Sequence, residues 1–253
     1  MLKRRTILIT GGGSGIGEAL ATNLSKDNKV IICGRNEEKL RKVATANQNV
    51  SYYVADIGSV DGINELFSNI ANDNIILDVV INNAGIAEIW DIARTSLPSA
   101  LIFESINANM SGAIAVTQQF INQADRSKDN AIINITSEVA FFPVSVMPLY
   151  SASKAGISVF TKALRVLLKD TTFKVVEILP PAVDTGMSRG LGNNYVQRKP
   201  ADFAQQIIGV VNKGKTEYAP GSNVPMLKIF NKFLPKTGLK LIDKIIRKRL
   251  KLE

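Results

Sequence analysis

The sequence predicts an α/β fold, a doubly wound parallel sheet in a single domain that ends in a basic amphipathic C-terminal tail. Three observations lead to this prediction. Short β-branched segments alternate with amphipathic helical segments up to about residue 185, the β-branched segments carry almost no charge, and a glycine-rich turn follows the first of them. The alternation is typical of βαβ units, and uncharged strands are typical of a sheet covered by helices on both faces.

The predicted strands are TILIT (6–10), KVIIC (29–33), VSYYVA (50–55), LDVVINN (77–83), NAIINIT (130–136) and FKVVEIL (173–179). Helical patterns such as EALATNLSK and GINELFSNIAN lie between them. No internal repeat or low-complexity linker interrupts the chain. We therefore expect residues 1–225 to form one domain that carries both the cofactor and the substrate sites, with residues 226–253 as an extension.

The turn after the first strand reads TGGGSGIG (10–17), and the next helix is predicted from Ile16 onward. Glycines at this place let the pyrophosphate of a nucleotide approach the backbone, and the helix start offers it unpaired N–H groups. A plain glycine turn is the alternative for such a motif alone. Its position after the first strand, with a helix behind it, favours nucleotide binding in a Rossmann-type sheet.

Composition excludes several other classes of function. The 253 residues contain no histidine and one cysteine, Cys33, and no apolar run is long enough to span a membrane. A Ser-His-Asp hydrolase and a multi-cysteine zinc site are therefore excluded, and we expect no metal. Acid–base chemistry has to come from Tyr, Lys, Asp or Glu. A reducing cytoplasm fits the single cysteine.

Seven motifs in order resemble the short-chain dehydrogenase/reductase family, from about residue 3 to residue 187. They are TGGGSGIG (10–17), Asp56 in VADI, NNAG (82–85), NANMSG (107–112), INITS (133–137), YSASK (150–154) and PPAVDT (180–185). The resemblance implies hydride transfer between a nicotinamide cofactor and a carbonyl or alcohol. It also implies a set of cofactor contacts: Thr10, Gly11, Ser14, Gly15, Ile16, Gly17, Arg35, Asp56, Ile57, Asn83, Ala84, Gly85, Tyr150, Lys154, Pro180, Val183 and Thr185.

Arg35 bears on the form of the cofactor. A free ribose 2′-hydroxyl usually meets an acidic side chain after the second strand, and here Gly34 stands in that place with Arg35 behind it. Because a guanidinium suits a phosphate, we predict NADP, with NADPH preferred over NADH. A solvated arginine at a helix start is the alternative.

The resemblance implies a catalytic set of Asn109, Ser137, Tyr150 and Lys154. Tyr150 would be the general acid or base, Lys154 would hold the nicotinamide ribose, Ser137 would bind the substrate oxygen and Asn109 would support a proton relay. The spacing of Tyr150 and Lys154 places both side chains on one face of a helix. A nearby ammonium is expected to lower the tyrosine pKa.

The substrate pocket is predicted to be apolar, which suits a carbonyl or alcohol on a hydrophobic body. Its expected walls are Val139, Phe141, Phe142, Met147, Leu149, Ile89 and Trp90, with a lid formed by residues 187–199. Pro180-Pro181 replaces the Pro-Gly that the family more often has. The PPAV segment followed by GKTE (214–217) resembles a bacterial subgroup of the family that is sometimes linked to D-alanylation of teichoic acid.

The tail holds nine lysines and arginines against Asp243 and Glu253, which gives it +7 of the total net charge of +9. Leu239, Ile242, Ile246 and Leu250 repeat within it at helical spacing. Such a helix suits either a peripheral contact with an anionic membrane or docking on the body or on a second subunit. No nucleic acid is expected as a partner.

Family resemblance further implies a homo-oligomer, a dimer or tetramer, with the helices around residues 100–120 and 150–168 paired between subunits. An enzyme is the leading hypothesis. A non-catalytic nucleotide-binding sensor and a membrane-surface scaffold with the same fold are the alternatives.

Overall fold

The computed structural model describes residues 1–189 and 198–220, together with Phe233, Thr237, Leu239, Lys240, Asp243, Lys244, Arg247 and Lys248. Most of the predicted tail (226–253) and residues 190–197 of the predicted lid lie outside the described residues.

Within the described part, seven parallel strands form one sheet in the order β3-β2-β1-β4-β5-β6-β7. The strands are β1 (Thr6–Thr10), β2 (Lys29–Gly34), β3 (Val50–Val54), β4 (Val79–Asn82), β5 (Asn130–Ile135), β6 (Phe173–Ile178) and β7 (Glu217–Tyr218). β1 pairs with β2 on one side and with β4 on the other, so the chain changes direction along the sheet between β1 and β4. The predicted doubly wound sheet is confirmed.

Helices cover both faces of the sheet. They are α1 (Gly15–Leu24), α2 (Glu37–Ala46), α3 (Val60–Asn72), α4 (Ser99–Ile106), α5 (Gly112–Gln123), α6 (Pro148–Leu167), α7 (Gly186–Arg189) and α8 (Pro200–Asn212). A short π-helix (Asn107–Ser111) joins α4 to α5, and a 3₁₀ turn (Glu138–Ala140) follows β5.

The core consists of two apolar layers, one on each side of the sheet. Ile7 and Ile9 of β1 pack on one side with α1, α2 and α8, whereas Leu8 packs on the other side with α3, α5 and α6. Both faces of β1 are therefore buried, and a charge on either face would be buried with it. This explains why the strand segments contain so few charged residues.

The structure adds elements that the sequence analysis left out, shortens the predicted strands β3, β4, β5 and β6, and extends β2 by one residue. β7 has two residues and pairs with the end of β6, too short for a periodic pattern to reveal. α8 lies beyond the last predicted strand, and its buried Phe203 and Ile207 complete one apolar layer. β4 begins at Val79 instead of Leu77, since Asp78 uses its carboxylate to accept the N–H of Thr6 at 2.8 Å.

None of the helices in the described ranges is long and apolar enough to cross a membrane.

Candidate active site

A cleft of about 970 Å³ opens at the carboxyl ends of the strands. It lies beside β1 and β4, where the order of the strands along the sheet changes direction. Ligands of doubly wound sheets bind at this kind of position. The predicted residues that line it are Gly11, Ser14, Gly15, Ile16, Arg35, Asp56, Ile57, Asn83, Ala84, Gly85, Ser137, Tyr150, Lys154, Pro180, Val183 and Thr185. Three predicted residues are not part of the lining: Thr10, Gly17 and Asn109.

The glycine-rich turn brings backbone close to the cleft. Gly15 has a φ of +58°, a conformation that L side chains rarely adopt. A Cβ on Gly17 would lie 2.3 Å from the carbonyl oxygen of Gly11, so only glycine fits there. Ser14 precedes α1 and makes no side-chain capping bond within the described residues, which leaves the first N–H groups of the helix available. These features fit the phosphates of a dinucleotide.

Thr10 and Asn83 hold the turn in place from behind the cleft. The buried Thr10 hydroxyl accepts the N–H groups of Asn83 at 3.0 Å and Ala84 at 3.1 Å. The Asn83 amide in turn donates to the carbonyl oxygens of Thr10 and Gly11. Thr10 therefore joins the end of β1 to the segment after β4.

Arg35 lies at the far end of the cleft, half-exposed, and forms an ion pair with Glu104 of α4 at 2.5 Å. Its hydrogen bond with Glu104 raises the pKa of the guanidinium. Arg35 is therefore engaged with Glu104. It is not a freely solvated arginine, and a phosphate would have to share it with Glu104. Only one of its nitrogens is bonded to Glu104, and the fork has further donors.

Ser137, Tyr150 and Lys154 meet on the other half of the cleft. Ser137 follows β5, and its hydroxyl oxygen accepts the N–H of Val139 at 3.3 Å, so its proton is available as a donor to Tyr150. Tyr150 and Lys154 lie one turn apart near the start of α6, and the Lys154 ammonium is 5.8 Å from the centre of the Tyr150 ring. Lys154 donates one hydrogen bond, to the carbonyl oxygen of Ile135 at 3.0 Å.

Burial controls the pKa of both titrating groups in this half. It raises the pKa of Tyr150 to about 12, and a hydrogen bond with Ser137 acts in the opposite direction. It lowers the pKa of Lys154 to about 8. The expectation of a lowered tyrosine pKa is therefore wrong for this structure, because desolvation of the phenolate outweighs the hydrogen bond with Ser137.

Asn109 lies behind these residues, in the π-helix between α4 and α5. Its side-chain oxygen accepts the N–H of Ile86 at 2.7 Å, and its amide donates to the carbonyl oxygen of Ile86 and to the Ser153 hydroxyl. A Cβ on Gly85 would be 2.9 Å from the Asn109 oxygen and 3.5 Å from the Lys154 nitrogen. Asn109 therefore joins α6 to the segment after β4, and Gly85 leaves room for the lysine beside it.

The substrate side of the cleft matches the predicted walls in part. Val139, Phe142 and Met147 line it, as expected. The cleft lining does not include Phe141, Leu149, Ile89 or Trp90. The Trp90 indole instead donates to the carbonyl oxygen of Thr95 at 3.1 Å.

Glu138 and Val144 are lining residues that the sequence analysis missed. Glu138 follows the motif serine directly, and a charged residue there gave no periodic or spacing signal.

A buried polar ladder also escaped the sequence analysis. The Asn82 amide donates to the Asn134 oxygen at 2.8 Å, and the Asn134 amide donates to the Thr161 hydroxyl at 2.8 Å. The ladder joins β4, β5 and α6, the elements that carry the NNAG, INITS and YSASK motifs. It fixes the register in which these motifs face the cleft.

In the ranges that the structure describes, no group of three acidic, histidine or cysteine side chains could hold a metal ion. The burial of Cys33 in β2 raises the pKa of its thiol to about 12, so the thiol stays protonated.

Known proteins resemble this chain over most of its length. The short chain dehydrogenase family profile matches residues 5–195. The uncharacterised oxidoreductase DltE of Bacillus subtilis is 31% identical over 221 residues, which cover 85% of this chain and 88% of the relative. An uncharacterised oxidoreductase of Staphylococcus aureus strain USA300 is 31% identical over 224 residues, which cover 85% and 94%.

Solved structures share the fold. A variant of the actinorhodin polyketide ketoreductase with NADPH has a TM-score of 0.78 and 24% identity, over 88% of this chain and 98% of that one. A short chain dehydrogenase of Burkholderia cenocepacia in complex with NADP has a TM-score of 0.79 and 23% identity, over 99% and 98%. The matched family profile and the relatives, on a parallel sheet with a nucleotide-type cleft, establish that this chain belongs to the short-chain dehydrogenase/reductase family of NAD(P)-dependent oxidoreductases.

Proposed function

We propose that the protein interconverts a carbonyl compound and its alcohol with NADP as cofactor, and that the substrate has a largely apolar body. One observation carries the proposal. Ser137, Tyr150 and Lys154 line one end of the same cleft whose other end is built from the glycine turn, the start of α1 and Arg35. A cofactor laid along the cleft would thus have its phosphates at α1 and its reactive ring beside the tyrosine.

The nicotinamide, when bound, supplies or accepts the hydride. Tyr150 would donate its phenolic proton to the carbonyl oxygen during reduction and take a proton from the hydroxyl during oxidation. The raised pKa of Tyr150 keeps the phenol protonated at neutral pH, the form that reduction requires. Ser137, which is hydrogen-bonded to Tyr150, would donate its hydroxyl proton to the same oxygen when substrate is bound and hold that oxygen near the tyrosine.

Lys154 would position the cofactor ribose and return the proton to Tyr150. Its ammonium has three donors, of which the bond to Ile135 uses one. Two donors remain for the ribose hydroxyls and for a water. Asn109 would keep the lysine segment aligned through Ser153, because its own amide atoms are engaged with Ile86 and Ser153.

Three features support NADP over NAD. Arg35 is the cation nearest to the end of β2 in the cleft lining, no acidic residue stands between Val30 and Asn36, and the two structures cited above were solved with NADPH or NADP. Glu104 would share the guanidinium with the 2′-phosphate, since the fork has donors on more than one side.

The test is a panel of ketones and aldehydes with NADPH, followed by the loss of cofactor absorbance, for wild type, Tyr150→Phe and Tyr218→Phe. We expect Tyr150→Phe to lose roughly 10²- to 10⁴-fold in rate, the usual contribution of a general acid. Tyr218→Phe is the matched control, because Tyr218 lies in β7 and donates to Gln206 instead of facing the cleft. Equal rates for wild type and Tyr150→Phe would overturn the proposal.

A further inference from the structure

An acidic side chain from outside the cleft holds Arg35, the residue proposed to bind the 2′-phosphate of NADP. Glu104 belongs to α4 and is not part of the cleft lining, yet its Oε1 accepts a hydrogen bond from Nη1 of Arg35 at 2.5 Å. The two side chains are 52% and 39% exposed, so a ligand in the cleft can reach both. The ion pair therefore joins the end of β2 to α4 at this end of the cleft.

Glu104 stands at the edge of the cleft. It lies about one helical turn before Ala108, which is a lining residue. A Cβ on Gly58 would be 3.6 Å from the backbone nitrogen of Ala108, so the segment after β3 packs against the end of α4. The same segment supplies Asp56 to the lining. A ligand that reaches Arg35 consequently comes close to the Glu104 carboxylate as well.

The charges at this end of the cleft cancel one another. The hydrogen bond with Glu104 is the main reason why the pKa of Arg35 is raised, and the charge of Asp56 acts in the same direction. Lys39 is a second cation of the lining, beside the glycine turn, since a Cβ on Gly13 would be 3.2 Å from its Cβ. Two positive and two negative side chains thus surround the place where a 2′-phosphate would bind.

Glu104 and a 2′-phosphate compete for the same donors. A guanidinium binds a phosphate best through two parallel N–H groups of its planar fork, and Glu104 occupies one end of that fork. A phosphate must therefore displace the carboxylate or accept fewer hydrogen bonds, and in both cases two anions stand close together. A 2′-hydroxyl carries no charge, so it meets no such repulsion.

From these contacts we propose that Glu104 is a specificity-determining residue that weakens binding of the 2′-phosphate by engaging Arg35. The affinities of the protein for NADPH and NADH are then closer together than Arg35 alone would make them. The proposal rests on the proposed function, because it takes Arg35 as the partner of the 2′-phosphate. It goes beyond it by assigning a role to a residue of α4 that lies outside the lining.

Two fragments of the cofactor test the proposal without turnover. Adenosine 2′,5′-bisphosphate and adenosine 5′-monophosphate differ only in the 2′-phosphate. Their dissociation constants are measured by calorimetry with the full chain at pH 7 and low salt, for wild type, Glu104→Gln, Arg35→Ala and the double variant. Glu38→Gln is the control, because it removes a carboxylate from an exposed position on α2, three residues from Arg35.

We expect Glu104→Gln to bind the bisphosphate about three- to tenfold more tightly, since a half-exposed ion pair makes a modest contribution. Binding of the monophosphate should change by less than about twofold, as for any effect confined to the added phosphate. In the Arg35→Ala background the gain from Glu104→Gln should become smaller, because Glu104 acts mainly through Arg35. Glu38→Gln should leave the ratio of the two dissociation constants unchanged.

Unchanged or weaker binding of the bisphosphate to Glu104→Gln would overturn the proposal, and weaker binding would mean that Glu104 orients Arg35 towards the phosphate. An equal gain for both fragments would overturn it too, because the carboxylate would then repel any nucleotide. Glu104→Ala removes the carboxylate in a second way and should give the same result, with melting temperatures recorded for both variants to verify the fold.

The outcome is separate from the turnover test. A protein that loses activity in Tyr150→Phe but binds the bisphosphate equally well with and without Glu104 keeps the proposed function and loses only this inference. Titration of NADPH and NADH by fluorescence should reproduce the difference on the whole cofactors, with NADPH gaining affinity in Glu104→Gln and NADH keeping its own.

Discussion

At the scale of one residue, the burial of Lys154 in the site lowers the stability of the folded protein. Its ammonium is buried with one hydrogen bond, and burial lowers its pKa from 10.5 to about 8. In the unfolded chain the lysine keeps its proton up to its ordinary pKa. Between about pH 8 and 10.5 the unfolded state thus binds more protons, so the contribution of this group to stability rises with pH across that window and is least favourable below it.

We therefore predict that Lys154→Met stabilises the protein without cofactor at pH 7. The shift corresponds to about 3 kcal/mol, and the lost hydrogen bond offsets about 1 kcal/mol, which leaves roughly 2 kcal/mol. The gain should shrink as the pH rises towards 10. Urea unfolding at pH 7 and pH 9.5 measures it, with the exposed Lys174→Met of β6 as control. A variant less stable than wild type at pH 7 would contradict the prediction.

Arg35 decides the cofactor preference in our proposal. Arg35→Asp removes the partner of a 2′-phosphate and supplies an acceptor for a 2′-hydroxyl, so we expect NADPH to bind about ten- to a hundredfold more weakly and NADH more tightly. Fluorescence titration of both cofactors measures the dissociation constants. Arg41→Asp makes the same charge change at an exposed position on α2 and should leave the dissociation constants of both cofactors unchanged. Wild type that already prefers NADH would refute the argument.

Site residues that are close in sequence are easier to predict than site residues that only the fold brings together. Tyr150 and Lys154 are four residues apart on one helix, so local spacing is enough to place them together. The Arg35–Glu104 pair joins residues 69 positions apart on different elements, and only the folded chain brings them together. The raised pKa of Tyr150 likewise depends on burial, which the sequence does not give.

At the scale of elements, α6 has two different faces. Ile157, Thr161 and Leu164 are buried towards the sheet, whereas Val159, Val166 and Leu167 are 65–76% exposed. Phe103 of α4 is exposed to a similar degree. A helix with apolar residues on both sides has more apolar surface than one sheet requires.

We therefore predict a homo-oligomer that buries the outer face of α6. Sedimentation at micromolar concentration should give at least a dimer for wild type, and the double variant Val159→Lys/Val166→Lys should sediment as a smaller species. Lys at these exposed positions is not expected to disturb the monomer fold, which a circular dichroism spectrum can verify. A wild type that sediments as a monomer would remove the prediction.

Elements whose residues alternate or repeat over several turns were predictable, and very short ones were not. β1 to β6 follow from β-branched, uncharged segments. β7 pairs with β6, and the π-helix at Asn107–Ser111 contains the buried Asn109, whose partners Ile86 and Ser153 are distant in sequence. No sequence period distinguishes a π-helix of five residues from the α-helices on either side of it.

For the whole molecule, the sequence predicted one parallel sheet correctly because both of its faces are buried and its strands therefore carry few charged residues. It left the tail undecided between a membrane and the body, since a basic amphipathic helix suits either partner. We continue to expect a domain of 1–225 with an extension of 226–253. Asp243 and Arg247 are two described tail positions that contact the body of the protein.

Those contacts favour a docked tail. Arg247 pairs with Asp91 of the segment after β4 at 3.3 Å and with Asp243 at 3.2 Å, and the Ser145 hydroxyl donates to Asp243. Asp91 and Ser145 belong to two loops that are also joined by the N–H of Trp90, which donates to the carbonyl oxygen of Val146 at 2.8 Å. The tail thus contacts both loops that border the substrate side of the cleft.

We predict that deletion of residues 226–253 lowers the melting temperature by a few degrees and raises KM for the substrate more than KM for NADPH, because the described tail residues Asp243 and Arg247 contact the substrate loops. Arg247→Ala should reproduce part of the loss, and Lys248→Ala, an exposed neighbour, should not. Raising the salt should weaken the Arg247 contribution, since the Debye length falls to about 3 Å at 1 M.

Co-sedimentation with anionic vesicles at low salt provides the opposing test. A full-length protein that binds vesicles, and whose truncation leaves the melting temperature and KM unchanged, would assign the tail to a membrane instead.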